Sequence, residues 1–243
     1  MYLNEITAQG PYAFPGHREN LVYSLQDMGI NSVEQLMLDA QKRDRVPGHA
    51  DLQVLTYADE KHVLIAIVKS VRPSAADFDD LVAAFQLKNA NHIAPNHYQV
   101  DTIGVIPEYR AMGLGKFLYD YVIEHNGWTL ISGNMQTEAG RRAWFNIAKQ
   151  PHIGVYGLIP IDKVARYNSP PEIVKYCDET HGANIHELNE LLKKYDAGVY
   201  ADNSRYIVFL AHPVIGKLHT PHFTVYDGHG DVLLVAKYVD HTG

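Results

Sequence analysis

The sequence predicts an α+β fold, and three observations carry the prediction. Tyr98 to Val105 alternates and is rich in β-branched residues, as a strand with two different faces requires. Ile106-Pro107 closes it, and Arg110-Ala-Met-Gly-Leu-Gly-Lys116 then opens a helix whose Leu114, Phe117, Leu118, Tyr121 and Val122 share one face. Ahead of this lies a strand pair, Leu52 to Tyr57 and His62 to Val71, turning on the polar Ala58-Asp-Glu-Lys61. Behind it, the short apolar Trp128 to Ile131 suits a buried parallel strand. Thr137 to Lys149, with Ala139, Ala143, Trp144 and Ile147 on one face, completes a βαβα run.

The remaining elements follow in order. Arg18 to Met28 places Leu21, Leu25 and Met28 on one helical face and stops at Gly29, a C-terminal glycine. Ser32-Val-Glu-Gln35 has the form of a capping box, with Val33, Leu36, Met37 and Ala40 as the stripe behind it. Arg45-Val-Pro-Gly48 breaks the pattern before the hairpin. Ser74-Ala-Ala-Asp77 can cap a helix carrying Phe78, Leu81, Val82 and Phe85, and a polar Asn89 to Asn96 segment leads to the central strand. In the last third, His152 to Leu158 with its Ile159-Pro-Ile161 continuation reads as a strand. Pro171 to Cys177 and Asn184 to Tyr195 read as helices, the second with an Asn184-Ile-His-Glu187 capping box. Arg205 to Leu210 is a strong strand, and Phe223 to Tyr226 and Val232 to Val239 flank Asp227-Gly-His-Gly230 as a hairpin would. The C-terminal strands are expected to extend the same sheet.

Composition narrows the function. The 243 residues are 46% hydrophobic, enough for a substantial core, and the net charge of −7 argues against a protein that binds nucleic acid by neutralising phosphates. A single cysteine, Cys177, excludes an intramolecular disulfide and any cysteine-rich metal site. No apolar run reaches membrane-spanning length and no basic-then-apolar leader opens the chain, so a soluble, cytoplasmic protein is expected. Among the fourteen histidines, His212, His219, His222 and His229 cluster in sequence. Without cysteine or carboxylate partners at ligand spacing they read as solvated, and no metal is expected. The acidic Asp77, Asp79 and Asp80 read as a solvated helix face.

The chemistry concentrates at the glycine loop. A helix N-terminus carries unpaired N–H groups and partial positive charge, and residues without a Cβ let a phosphate approach the backbone. Arg110 adds a permanent, phosphate-matching charge. A plain strand-to-helix turn would use the same two glycines. A Walker A loop would need a hydroxyl where Phe117 stands, and the glycine spacing is not that of a dinucleotide fingerprint. Arg110-x-x-Gly113-x-Gly115 resembles the Arg/Gln-x-x-Gly-x-Gly/Ala signature of the GNAT superfamily of acetyl-CoA-dependent N-acetyltransferases. Val105-Ile-Pro-Glu-Tyr-Arg110 is similar to that family's Val-x-Pro-x-Tyr-Arg lead-in.

The resemblance covers about half the chain, from Leu52 to roughly Leu158. It implies a GNAT-like α+β fold: a mixed, mostly antiparallel sheet flanked by helices, with a splayed central strand pair whose gap admits the pantetheine arm, and an extended C-terminal part. Residues 1–165 would be the acetyltransferase core and 166–243 a helical excursion and β-hairpin extension packed on the same sheet. The activity implied is transfer of an acetyl group from acetyl-CoA to an amine, by direct attack in a ternary complex. The acceptor is a small molecule or a protein lysine. A non-catalytic CoA-binding or partner-binding module, or a transferase using another acyl donor, stays open, as does a homodimer. Bacteriophage-encoded members show a similar Trp-containing second helix, which implies a bacteriophage-encoded member.

For the site, the resemblance implies cofactor contacts at Ile103, Val105, Arg110, Met112, Gly113, Leu114, Gly115 and Lys116, the amides of Met112 to Lys116 taking the pyrophosphate. Gln99, Asp101, Ile103 and Val105 share a strand face by alternation. Some members carry a catalytic Glu where Gln99 stands, and Asp101 is the nearest ionisable residue on that face. It would serve either as the base or as the group holding the acceptor's ammonium. Many members carry Asn-x-x-Ala-x-x-x-Tyr on the second helix. Thr137, Gly140 and Trp144 take those places here. Thr137 can still offer a hydroxyl to a pantetheine amide, but an indole N–H does not ionise in water and is no proton source. Trp144 is therefore expected in the core. The thiolate either takes its proton from another tyrosine, with Tyr156 best placed by chain order, or leaves unassisted.

Overall fold

The computed structural model describes residues 18–69, 78–133, 138–166, 169–200, 206–210, 212–214, 217–219, 224–226 and 233–239. The chain forms two compact units that interleave in sequence: residues 1–89, 98–121 and 137–140 make the first, and 90–97, 122–136 and 141–243 the second.

The first unit begins with helices α1 (Arg18–Asp27) and α2 (Val33–Asp39). At the start of α2 the Ser32 hydroxyl accepts the Gln35 N–H at 3.0 Å, the first half of the expected capping box. The second half is shifted: the Gln35 amide oxygen accepts from the Asn31 N–H, one residue before the cap. Strands β1 (Lys42–Val46), β2 (His49–Ala58), β3 (His62–Lys69), β4 (Leu81–Asn89) and β5 (His97–Val105) then pair in sequence order, each antiparallel to the next. The β2–β3 hairpin turns where its sequence pattern expects. β1 replaces the pattern break expected before it, because Pro47-Gly48 makes a turn between two strands; its Lys42, Arg43 and Arg45 suit an edge strand, where charge discourages further pairing.

The helix expected over Phe78 to Phe85 is instead a short 3₁₀ turn at Phe78–Asp80 followed by β4. Leu81 to Leu87 is buried throughout, lying between β3 and β5. A strand buried on both faces loses its polar alternation, so an unbroken apolar run carries no period that separates strand from helix. The capping residues of that expected helix, Ser74 to Asp77, lie outside the described residues.

Side chains alternate between the two faces of this sheet. Leu55, Leu64, Ala66 and Ala84 form one core cluster with Leu21 and Leu25 of α1 and Val33 and Leu36 of α2. On the opposite face Phe85 meets Tyr119 of helix α3 (Leu114–Asp120), their ring centroids 5.0 Å apart. Gly104 of β5 belongs to the α1 face, where a Cβ would come within 2.6 Å of the Leu21 side chain. That close approach seats α1 on the strand that leads into the glycine loop.

The second unit holds β6 (Thr129–Ile131), most of α4 (Glu138–Ile147), β7 (Ile153–Pro160), α5 (Pro171–Thr180), α6 (Ile185–Lys193), β8 (Ala197–Val199), β9 (Tyr206–Leu210) and β13 (Leu233–Tyr238). Its strands order β6, β13, β7, β9, β8, with every neighbour antiparallel. The Asn184 side chain caps α6 by accepting the Glu187 N–H. Three short strands, β10 (His212–Val214), β11 (Lys217–His219) and β12 (Thr224–Tyr226), form a separate sheet. The expected pairing of residues 223–226 with 232–239 is therefore overturned. β12 pairs with β11, while β13 inserts between β6 and β7, and the Ser132 hydroxyl accepts the Leu234 N–H at 2.9 Å just beyond the β6–β13 pairing. Asp227 to Gly230 lie outside the described residues. Among the described residues no helix is long and apolar enough to cross a membrane.

Candidate functional site

The glycine loop keeps the form its sequence predicts, with added detail. Pro107–Met112 is a 3₁₀ turn, and Gly113 at φ +74° switches the chain into α3. A Cβ at Gly113 would meet nothing within 4 Å, so the requirement for glycine there is left-handed backbone rather than space. The first intrahelical bond beyond the switch runs from the Phe117 N–H to the Gly113 carbonyl at 3.1 Å. The amides of Leu114, Gly115 and Lys116 precede it, in the position where helix geometry leaves donors for an anion. Buried Leu114, Leu118 and Tyr119 hold the helix against the sheet while Ala111, Gly113 and Lys116 face solvent. After seven α-helical residues the helix widens into a π turn at Tyr121–His125.

Arg110 does more than carry charge. Its Nε donates to the Val105 carbonyl at 3.2 Å, tying the turn to the end of β5. Lys116 is ion-paired with Asp120 one helical turn on. The residues of this loop suit a diphosphate: a permanent cation at its entry, a glycine that supplies the reversal, and amides at a helix start.

β5 departs from simple alternation. Gln86 faces Thr102 but Leu87 faces Val100, so Asp101 is an extra residue, a β-bulge. Ile103 and Val105 lie opposite Phe85 and Ala83, on the α3 face, whereas Gln99 lies opposite Lys88 on the other face with Thr102 and Gly104. The expectation that Gln99, Asp101, Ile103 and Val105 share a face is thus corrected. The physical reason is the inserted residue, which shifts the pleat by one position. The Ile106 N–H donates to the Val82 carbonyl at 2.9 Å, and hydrogen-bonded and non-bonded positions alternate along an antiparallel pair. The backbone groups of Ile103 and Val105 therefore point away from β4, the orientation needed to pair with an extended ligand.

Asp101, part exposed at the bulge, is ion-paired with Lys88 at 2.5 Å. Asp101, Ile103, Val105, Arg110, Met112, Gly113, Leu114, Gly115 and Lys116 all belong to the first unit. Thr137 lies outside the described residues. Trp144, 2% exposed, is buried as expected with Ala143 and Ile147 of α4.

Tyr156 is in the second unit, on β7 opposite Val235 of β13 and Leu210 of β9. Its ring passes over Gly154, where a Cβ would come within 2.8 Å of the phenol oxygen, and the Lys237 Nζ sits 4.9 Å from its centroid. Close by in chemistry is a pair that motif reading misses, His97 and Tyr200. His97 Nδ1 lies 2.7 Å from the Pro95 carbonyl, which can only accept, so Nδ1 carries the proton and Nε2 accepts from the Tyr200 hydroxyl at 2.5 Å. Burial pushes the His97 imidazole below its ordinary range and the Tyr200 phenol up to about 12, with Tyr156 adding to the latter. The signal available in sequence was only a histidine at the head of a strand. Its partner is 103 residues away.

Residues 34–126 match the model of the acetyltransferase (GNAT) family, a span that runs from α2 through the π turn and contains the whole glycine loop. The fold is GNAT-like, α+β with a mostly antiparallel sheet flanked by helices. Among solved structures, the crystal structure of Tetrahymena GCN5 is similar at 13% identity and a TM-score of 0.27, covering 65% of this chain and 72% of that one. No curated protein matches the chain.

Proposed function

We propose that the protein transfers an acetyl group from acetyl-CoA to an amine by direct attack in a ternary complex. Acyl transfer is the chemistry of the family matched at residues 34–126. The observation that carries the finer reading is the Gly113 reversal with its following amides, anchored by Arg110 to the end of β5. In this reading the diphosphate of the donor sits on the amides of Met112 to Lys116 beside Arg110, and its extended arm pairs with the backbone of Ile103 and Val105. Thr137 is assigned to the same arm by its position in the chain. Acetyl-CoA supplies an already activated thioester. The protein's part is to orient the amine, accept its proton and place an N–H on the developing oxyanion. Incubation of a cell extract with the protein and labelled acetyl-CoA, followed by mass spectrometry, is expected to show the acetyl mass shift on an amine acceptor. An extract without any shifted amine counts against the reading.

Two side chains are assigned to the proton transfers. An alkylammonium has a pKa of about 10 and must lose a proton before attack. Asp101 is the carboxylate on the strand that leads into the loop, acting as base or holding the ammonium, in competition with Lys88 for the same oxygens. Asp101→Asn is expected to lower turnover by about a hundredfold, the scale of a lost general base. An unchanged rate and an unchanged alkaline limb would remove it from both roles. Tyr156 is assigned to protonating the departing thiolate. Tyr156→Phe is expected to reduce turnover while acetyl-CoA affinity stays the same; equal turnover in the two proteins would mean that the thiolate leaves unassisted.

A further inference from the structure

The second unit contains a cavity of about 620 Å³ at the end of β7, beside α5 and the start of β9. Its size falls within the roughly 300–1,000 Å³ of pockets that hold small molecules. Ile161 and the buried Cys177 belong to its walls, with the half-buried Tyr206, while Asp162, Asp178 and His181 are exposed residues that line it. Among the described residues no lysine or arginine lines it. The cavity therefore combines an apolar surface, an aromatic ring and two carboxylates.

Its construction favours a cation further. α5 ends at Thr180, and the carbonyl end of a helix carries partial negative charge. His181 follows in left-handed conformation at φ +50°, its N–H donating to the Cys177 carbonyl at 2.8 Å. At Gly182 a Cβ would lie 3.2 Å from two carbons of Ile161, so this tight turn closes against the residue that follows β7. Among the described residues no three His, Cys, Asp or Glu side chains converge as a metal ion requires. The two lining carboxylates come from different elements, Asp162 from the turn after β7 and Asp178 from α5.

We propose that this cavity binds an alkyl- or arylalkylammonium of small-molecule size. Asp162 and Asp178 hold the ammonium group, and Tyr206 with Ile161 packs the apolar body, adding a cation–π contribution where the charge meets the ring. The inference uses none of the residues assigned to acetyl-CoA and does not depend on acyl transfer.

The test is calorimetric titration of the full chain with phenethylammonium and with its neutral counterpart 2-phenylethanol. Saturable binding of the ammonium, at least tenfold tighter than the alcohol, is expected. In the double variant Asp162→Asn, Asp178→Asn, ammonium affinity is expected to fall at least tenfold while that of the alcohol stays the same. Both positions are exposed, and circular dichroism checks that the variant is folded. Because Cys177 is the only cysteine in the sequence, its alkylation rate reports on this cavity alone. Saturating ammonium is expected to slow it at least fivefold. Equal affinity for the two probes, no binding of either, an unaffected double variant, or ammonium binding without protection of Cys177 would each overturn the proposal.

Discussion

Gly115→Glu is expected to weaken acetyl-CoA binding by at least a hundredfold while leaving the fold intact. The substitution puts a side chain and a negative charge at the start of α3, beside the amides assigned to the diphosphate. The new carboxylate competes for the donors that the ligand would use and repels its phosphates. The helix itself does not suffer, since an acidic residue in a first turn is favourable by about 0.3–1 kcal/mol. Binding and folding therefore separate in this variant. Calorimetry with acetyl-CoA gives the first and thermal denaturation the second. Gly115→Ala, which adds only a methyl group, is expected to keep most of the affinity. A folded Gly115→Glu protein that binds acetyl-CoA as well as the parent would remove the donor assignment altogether.

Trp144→Ala is expected to cost about 3–5 kcal/mol of stability, the range for removing a large buried aromatic side chain. Trp144 is 2% exposed and lies on α4 with Ala143 and Ile147, which are buried with it. Chemical denaturation reads the change as a lower midpoint at similar slope. Trp144→Phe, which keeps an aromatic ring in place, is expected to lose much less. A Trp144→Ala protein with unchanged stability and depressed turnover would instead move the residue from the core to the site.

Where local chemistry decides, the sequence is sufficient. Ser32 and Asn184 cap their helices because short side-chain oxygens meet orphan N–H groups a few residues away. Gly113 reverses the chain because left-handed backbone suits a residue without a Cβ, and the loop, its helix and the strand before it are legible from that alone. The Val105-to-Gly115 pattern belongs to the same class of information. It lies within a dozen residues, so the donor loop can be located without knowing what packs on it.

Tertiary structure decided what depends on partners distant in the chain. β4 is a strand because β3 and β5 pair with its two edges; its own apolar run fits either period. β13 lies between β6 and β7 because ladder partners are chosen by burial, and nothing near residue 233 names strands 75 or more residues earlier. The bulge at Asp101 shows the limit most sharply. Alternation assumes one residue per partner, and the register with β4, visible only once the strands are paired, breaks that assumption and moves Gln99 to the opposite face. The His97–Tyr200 bond is of the same kind: two polar groups 103 residues apart become mutual solutions to burial, and only the folded chain brings them within reach.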